Sequence, residues 1–394
     1  MSAEAGRVAE ERPRAARAPH LYDVDIVRIL TFLCVIAVHT TSHTASPTDI
    51  GLGALLGLVH FTRNVFFSLS AFVLVYSYLS KPVSMKKFWP RRFLLVGVPY
   101  LVWSVIYFTA SNVVAPKGTF LSAVLRLLQH IVTGTSWYHL YFLLVTMQVY
   151  LLVPVIVWAV KKTRGHHILM LAILAALQVA LYWYYAYAPG EPGWLSTYAK
   201  VFFFSYLFFI MLGAVIADHA MQLLGWVRTH RRLIGFIVLG GGILTLVVFA
   251  FQHWVIGYSL YKSGTPLQPI IILWSMVVGL GFLALGSYWA ERRVPGTRFS
   301  RLVDVASDRS FGIFLSHPFV LWILLMIGGG WVSNTIPDPW RTLVSYVIVV
   351  AGAVGITEVM RRTPLSLAFT GRPFRRTKVA PKPPAAESGD VPPN

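Results

Sequence analysis

Asp25-Ile-Val-Arg28-Ile-Leu-Thr-Phe-Leu-Cys-Val-Ile-Ala-Val-His39-Thr-Thr-Ser-His43 is the stretch on which the fold turns. Ten uncharged residues separate its arginine from its first histidine, and the apolar run they belong to covers 24–42. A helix needs ~20 mostly apolar residues to cross the hydrocarbon core of a bilayer. Nine further runs of this kind follow, at 63–80, 93–113, 137–160, 167–187, 199–217, 233–255, 267–290, 310–328 and 341–359. Backbone in lipid must satisfy its own hydrogen bonds, and the runs lack the alternation of barrel strands. The expectation is an all-α polytopic transmembrane helix bundle of about ten spans. A mean hydropathy of +0.64 with only 12% charged residues agrees. The short apolar stretch 50–62 reads as a re-entrant or interfacial lead into the second span.

The formal net charge of +19 invites a nucleic-acid partner, and the distribution of the charge argues against one. With the N-terminus placed inside, inner segments carry 27 Lys and Arg and outer loops carry 5. That is the positive-inside pattern, so both termini are expected on the cytoplasmic side of a plasma-membrane protein. The basic loops then need only anionic lipid headgroups as partners. Residues 1–20 and 373–394 read as disordered cytoplasmic tails, the latter rich in proline and mildly charged. The first tail lacks a small-residue cleavage site ahead of the first apolar run, which suggests an uncleaved signal anchor. Residues 21–372 form one membrane domain. The single cysteine, Cys34, excludes an internal disulfide.

Ionisable residues inside spans are costly and mark function. Arg28 and His39 lie eleven residues apart, which is three helical turns plus ~20°, so they share a helix face ~16 Å apart along the axis. Asp25 stands one turn before Arg28, and His43 one turn after His39. Arg63, beside His60, opens the second span and is a candidate for an acceptor entry. The run Tyr182-Trp183-Tyr184-Tyr185-Ala186-Tyr187 suits an outer interfacial belt. Arg309, just ahead of the late span, reads as a positive-inside anchor.

Asp25-Ile-Val-Arg28, ten residues and His39 resemble the opening motif of the membrane acyltransferase-3 family. Four further stretches resemble that family in order: Phe66-Phe67-Ser68-Leu69-Ser70-Ala71-Phe72, Arg91-Arg92 with Pro99-Tyr100, Trp137-Tyr138-His139-Leu140-Tyr141-Phe142-Leu143, and Ser310-Phe311-Gly312-Ile313-Phe314-Leu315-Ser316-His317-Pro318. Two positions depart from the pattern. Ala71 stands where the family usually has glycine, and Leu95 where a second basic residue often follows Arg92.

The resemblance implies transfer of an acyl group, acetyl being the expected one, from a cytoplasmic acyl-CoA to a hydroxyl of a carbohydrate or glycosylated acceptor. Acyl-CoA is then a co-substrate, and no permanently bound cofactor is expected. A neutral imidazole can take the hydroxyl proton as the new bond forms, and His39 is the candidate base. Arg28, with Asp25 orienting it, and Arg91 and Arg92 are the candidates for donor phosphates. His139, His317, Ser70 and Arg63 are the candidates for substrate contacts. No metal site is expected, since no His-Glu-x-x-His accompanies His39 and His43. No Gly-x-Ser-x-Gly elbow supplies a serine nucleophile, and direct transfer and an acyl-histidine intermediate both stay open. A transporter or flippase of a glycan or lipid-linked precursor is the competing reading.

Overall fold

The computed structural model describes residues 20–115, 118–188, 193 and 197–374. Apart from His20, Pro373 and Phe374, the two expected tails lie outside these residues. The described chain is helical throughout, with no strand. Its order is α1 (Tyr22–Thr44), α2 (Ile50–Val59), α3 (Thr62–Ser80), α4 (Met85–Val114), α5 (Phe120–Thr133), α6 (Tyr141–Lys162) and α7 (His167–Tyr187). A 3-10 turn at Phe203–Tyr206 leads into α8 (Leu207–Asp218), followed by α9 (Ala220–Thr229) and α10 (Arg231–Ala250). Then come α11 (Leu260–Ser263), α12 (Pro269–Arg292), α13 (Arg298–Thr335), α14 (Trp340–Arg361) and α15 (Ser366–Thr370).

Among the described residues, nine helices are long and apolar enough to span a membrane, and the protein is a multi-pass membrane protein. The run 199–217, expected as one straight span, is the exception. Its helix α8 meets α9 at an angle of 88°. A tenth span exists only if that bent pair is counted as one. The stretch 50–62 is helical as α2 and joins α3 in a single 31-residue element. Helix α5 is short and buries no residue fully.

Helix α13 starts twelve residues before the run that announced it. At 1.5 Å per residue, 38 residues extend ~57 Å, well beyond a ~30 Å hydrocarbon core. The Thr297 hydroxyl caps its first turn by accepting from the Ser300 N–H. Arg309 therefore lies inside a helix and is not a free anchor to headgroups. It pairs with Asp308 at 2.5 Å and with Glu358 at 3.2 Å.

Helix α1 is central and packs on α2, α3, α12, α13 and α14. Asp23 and Asp25 sit in its first turn, where the helix dipole favours negative charge. The Thr31, Ser42 and Thr44 hydroxyls donate to carbonyls four residues back, so none is left bare in an apolar setting. Between helices in lipid, close packing replaces the hydrophobic drive. Gly286 lets α12 approach α1 so closely that a Cβ there would lie 2.0 Å from the Asp23 carbonyl oxygen. Gly213 of α8 meets the Ser68 carbonyl oxygen of α3 in the same way. Ala71 is fully buried, and the tightest approach to α3 is carried by a glycine of its partner. The tyrosine run 182–187 is only partly a surface belt. Tyr182 is buried and donates to Asn64 Oδ1 at 2.9 Å, while Trp183 and Tyr184 are exposed.

Candidate active site

At the N-terminal end of α1 a chain of polar contacts ties the helix to α13. The Ser307 hydroxyl donates to Asp25 Oδ1 at 2.6 Å, and Arg28 donates to the same hydroxyl oxygen at 3.0 Å. Arg28 stands 3.8 Å from Asp25 itself, so the serine completes the link. His20 Nε2 lies 2.6 Å from the other Asp25 oxygen. Sequence reasoning singled out neither Ser307 nor His20.

Arg28 lines a cavity of about 250 Å³ together with Arg92, Arg372, Ser70 and Ser310. The Arg92 guanidinium lies 5.5 Å from the Phe88 ring centre and 6.0 Å from that of Tyr150. Arg91 is on the exposed face of α4 and lines neither this cavity nor the next. Ser70, expected among the substrate contacts, lies on the Arg28 side. Leu95 lines the cavity too, and its third guanidinium comes instead from Arg372. That residue follows Gly371, whose φ of +64° makes the turn out of α15.

His39 lines a second cavity, of about 370 Å³, with His139, Arg63, His60, Lys200 and Tyr138. Within the described residues the His39 imidazole makes no hydrogen bond, and it stacks on His317 with ring centres 5.4 Å apart. Tyr138 lies 4.6 Å from its other neighbour face, ring centre to ring centre. His139 is buried, with both ring nitrogens lacking hydrogen-bond partners among the described residues. His43 donates from Nδ1 to the His39 carbonyl at 2.8 Å and lines the same space. Beyond Tyr138 and His43 opens a larger cavity of about 620 Å³.

The Ser316-His317-Pro318 sequence explains the state of His317. Proline has no N–H, so Pro318 leaves the Phe314 carbonyl without its helical donor. His317 Nδ1 lies 2.7 Å from that oxygen and supplies the missing hydrogen bond. The proton is thereby assigned to Nδ1, and Nε2 keeps its lone pair. The Tyr107 hydroxyl donates to the next carbonyl, Leu315, at 2.7 Å. His317 is fully enclosed and lines neither cavity. Expected as a substrate contact, it is reached from these two cavities only through its neighbours, and it stacks on His39.

The two cavities share Phe66, Phe142 and Phe314. These rings lie in mutual contact, with centres 5.4 Å apart for Phe66–Phe142, 6.1 Å for Phe66–Phe314 and 5.4 Å for Phe142–Phe314. One face of α1 thus serves two polar chambers, with guanidiniums in one, imidazoles in the other and an aromatic partition between them.

Among the described residues, one group of metal-ligand types has its ligand atoms within 4.8 Å of one another: His167, Asp218 and His219. It lines neither cavity, and Arg164 already holds Asp218 at 2.6 Å.

The comparison with protein families is specific: residues 21–358 match the acyltransferase domain of type 3. The chain belongs to that family, and it carries an acyltransferase domain along nearly its whole length. No curated protein and no solved structure matches it.

Proposed function

We propose that the protein is an O-acyltransferase of the plasma membrane, both termini cytoplasmic, moving an acyl group from acyl-CoA to a hydroxyl of a carbohydrate or glycosylated acceptor. The observation that carries this reading is the placing of Arg28 and His39 in two chambers that meet at one partition. Arg28, Arg92 and Arg372 suit the phosphates of a coenzyme A thioester, because a guanidinium forms paired, charge-assisted hydrogen bonds with phosphate. A chamber of about 250 Å³ is small for the whole donor. The nucleotide would stay at its mouth while the pantetheine arm extends to Phe66, Phe142 and Phe314. Acetyl, the smallest common acyl group, fits such a partition best.

On the far side, His39 would accept the proton of the acceptor hydroxyl. The hydroxyl oxygen bonds to the thioester carbonyl carbon, the carbon–sulfur bond breaks, and the departing thiolate takes up a proton to become free thiol. His317 would hold the His39 ring through stacking, and neutral His139 offers a further contact to the acceptor.

Replacing His39 with Ala tests the assignment. Free-thiol release from acetyl-CoA is measured in membranes with matched protein amounts and with an extract of candidate acceptors. A general base contributes about 10²–10⁴-fold, so a loss of that order is expected. Retained turnover discards His39 as base. A transporter would release no thiol in either form.

A further inference from the structure

The chamber around His39 carries cations that nothing in the described protein neutralises. Arg63 is partly buried at the start of α3, and its Nε is enclosed without a hydrogen-bond partner. One terminal nitrogen donates to the Pro266 carbonyl at 3.3 Å, and the guanidinium lies 5.4 Å from the Tyr206 ring centre. Of the phenols around it, Tyr141 stands within side-chain hydrogen-bond reach and lines the same chamber, and the other two are engaged elsewhere. Tyr182 donates to Asn64 Oδ1, and Tyr206 to the Lys200 carbonyl. Lys200 lines the same chamber and, among the described residues, forms no ion pair through its ammonium.

No described carboxylate lines this chamber. Of those on the same side, Asp49 caps α2 through the Leu52 N–H, and Asp338 pairs with Arg341 and accepts from the Ser46 N–H. Several other described arginines do have a carboxylate, as Arg228 has Asp23 and Arg231 has Glu291. A partly buried guanidinium without a carboxylate keeps its full charge, since a carbonyl, a phenol and a ring supply hydrogen bonds and no counter-charge. Its terminal nitrogens face the chamber and leave room there for an anion from outside the described chain.

Resting on the acyltransferase reading above, we infer that the acceptor is an anion: it presents a carboxylate or a phosphate to Arg63 and Lys200 while its hydroxyl faces His39. The donor's phosphates are not that partner, since they have Arg28, Arg92 and Arg372 on the other side of the phenylalanine partition. The planar Arg63 fork would bind two oxyanion atoms at once and fix the acceptor's orientation, and Lys200 at the mouth would add a point charge.

The product of the full-length wild-type protein reports on this directly. Glycans and metabolites of cells with and without the chain are compared by mass spectrometry, and the acyl-bearing species is fragmented. The expected species carries the acyl group on a residue with a carboxylate or phosphate, and the fragments distinguish the two. The Arg63→Gln protein is expected to form it about 10- to 100-fold more slowly, with partial recovery in Arg63→Lys, as loss of a charge-assisted hydrogen bond predicts. An acyl group on a neutral acceptor overturns the inference and leaves the transferase standing. Absence of any acyl-sized difference removes the transferase reading, and this inference with it.

Discussion

Arg372 shows how a single residue completes a chamber from a distance in sequence. It enters beside Arg28 and Arg92 from the last described turn of the chain, and its only carboxylate contact among the described residues is Asp308 at 3.6 Å. Asp308 is already held more closely by Arg309 and Arg361, so the Arg372 guanidinium keeps donors for a ligand. Arg372→Ala is expected to raise the KM for acyl-CoA about 10- to 100-fold while kcat changes little, since the contact proposed for it is to the donor's phosphates and not to the reacting atoms. Initial rates of thiol release against donor concentration measure the two separately, and an unchanged KM removes Arg372 from the donor site. Arg28 and His39 were legible in the sequence because an ionisable group inside an apolar run is conspicuous. Arg372 and His20 were not, because each lies outside the apolar runs, where a polar residue is unremarkable, and Lys200, second residue of the run 199–217, reads as the edge of a span. The Arg91-Arg92 pair shows the complementary error: two adjacent helical residues differ by ~100° in direction, so only one of them can face the chamber.

Among the elements, α3 and α8 form the closest contact that the site depends on. Helix α3 carries Arg63, Phe66 and Ser70, which reach both chambers, and its distance from α8 is set by Gly213 against the Ser68 backbone. A methyl group at 213 would overlap a carbonyl oxygen, and backbone cannot swing aside as a side chain can. Gly213→Ala should therefore push the two helices apart at a cost of about 1–3 kcal/mol. The expected outcome is a lower midpoint of thermal unfolding in detergent, with a matching loss of thiol release. A midpoint equal to that of the wild type would mean that α8 is free to shift. Most spans were readable to within a few residues because hydropathy over a window reports which backbone can lie in lipid. It reports no direction, so the run 199–217 gave no sign of the 88° turn after Asp218. Nor does it register a helix that continues beyond its apolar run, which is why the polar first turns of α13, with Asp304 and Asp308, went unassigned and Arg309 was read as an anchor outside the helix. The partition of Phe66, Phe142 and Phe314 was equally hidden, since three phenylalanines in apolar runs are ordinary until the fold brings them together.

For the whole molecule, charge is segregated along the bundle. At the end where α1 begins, Arg228, Arg231, Arg293, Arg309 and Arg361 pair with Asp23, Glu291, Asp304, Glu358 and Asp308. Exposed pairs of this kind contribute little to stability, typically below about 1 kcal/mol each. Their significance lies in orientation: basic loops are retained on the cytoplasmic side during insertion, and the segments read from the sequence as inner hold 27 Lys and Arg against 5 in those read as outer. The arginine chamber lies at the Arg28 end of α1 and the histidine chamber at its His39 end. Orientation in the cell thus decides whether Arg28, Arg92 and Arg372 meet a cytoplasmic thioester at all. Cysteine labelling resolves it, because Cys34 is the only native thiol and can be replaced by serine. Thr48 lies between α1 and α2, and His166 between α6 and α7, both exposed and separated by three membrane-crossing elements. In that background Thr48→Cys should react with a membrane-impermeant maleimide on intact cells, and His166→Cys only after the membrane is opened. The reverse pattern would put the arginine chamber on the outer face, beyond the reach of cytoplasmic acyl-CoA, and the direction of transfer proposed for the protein would be lost.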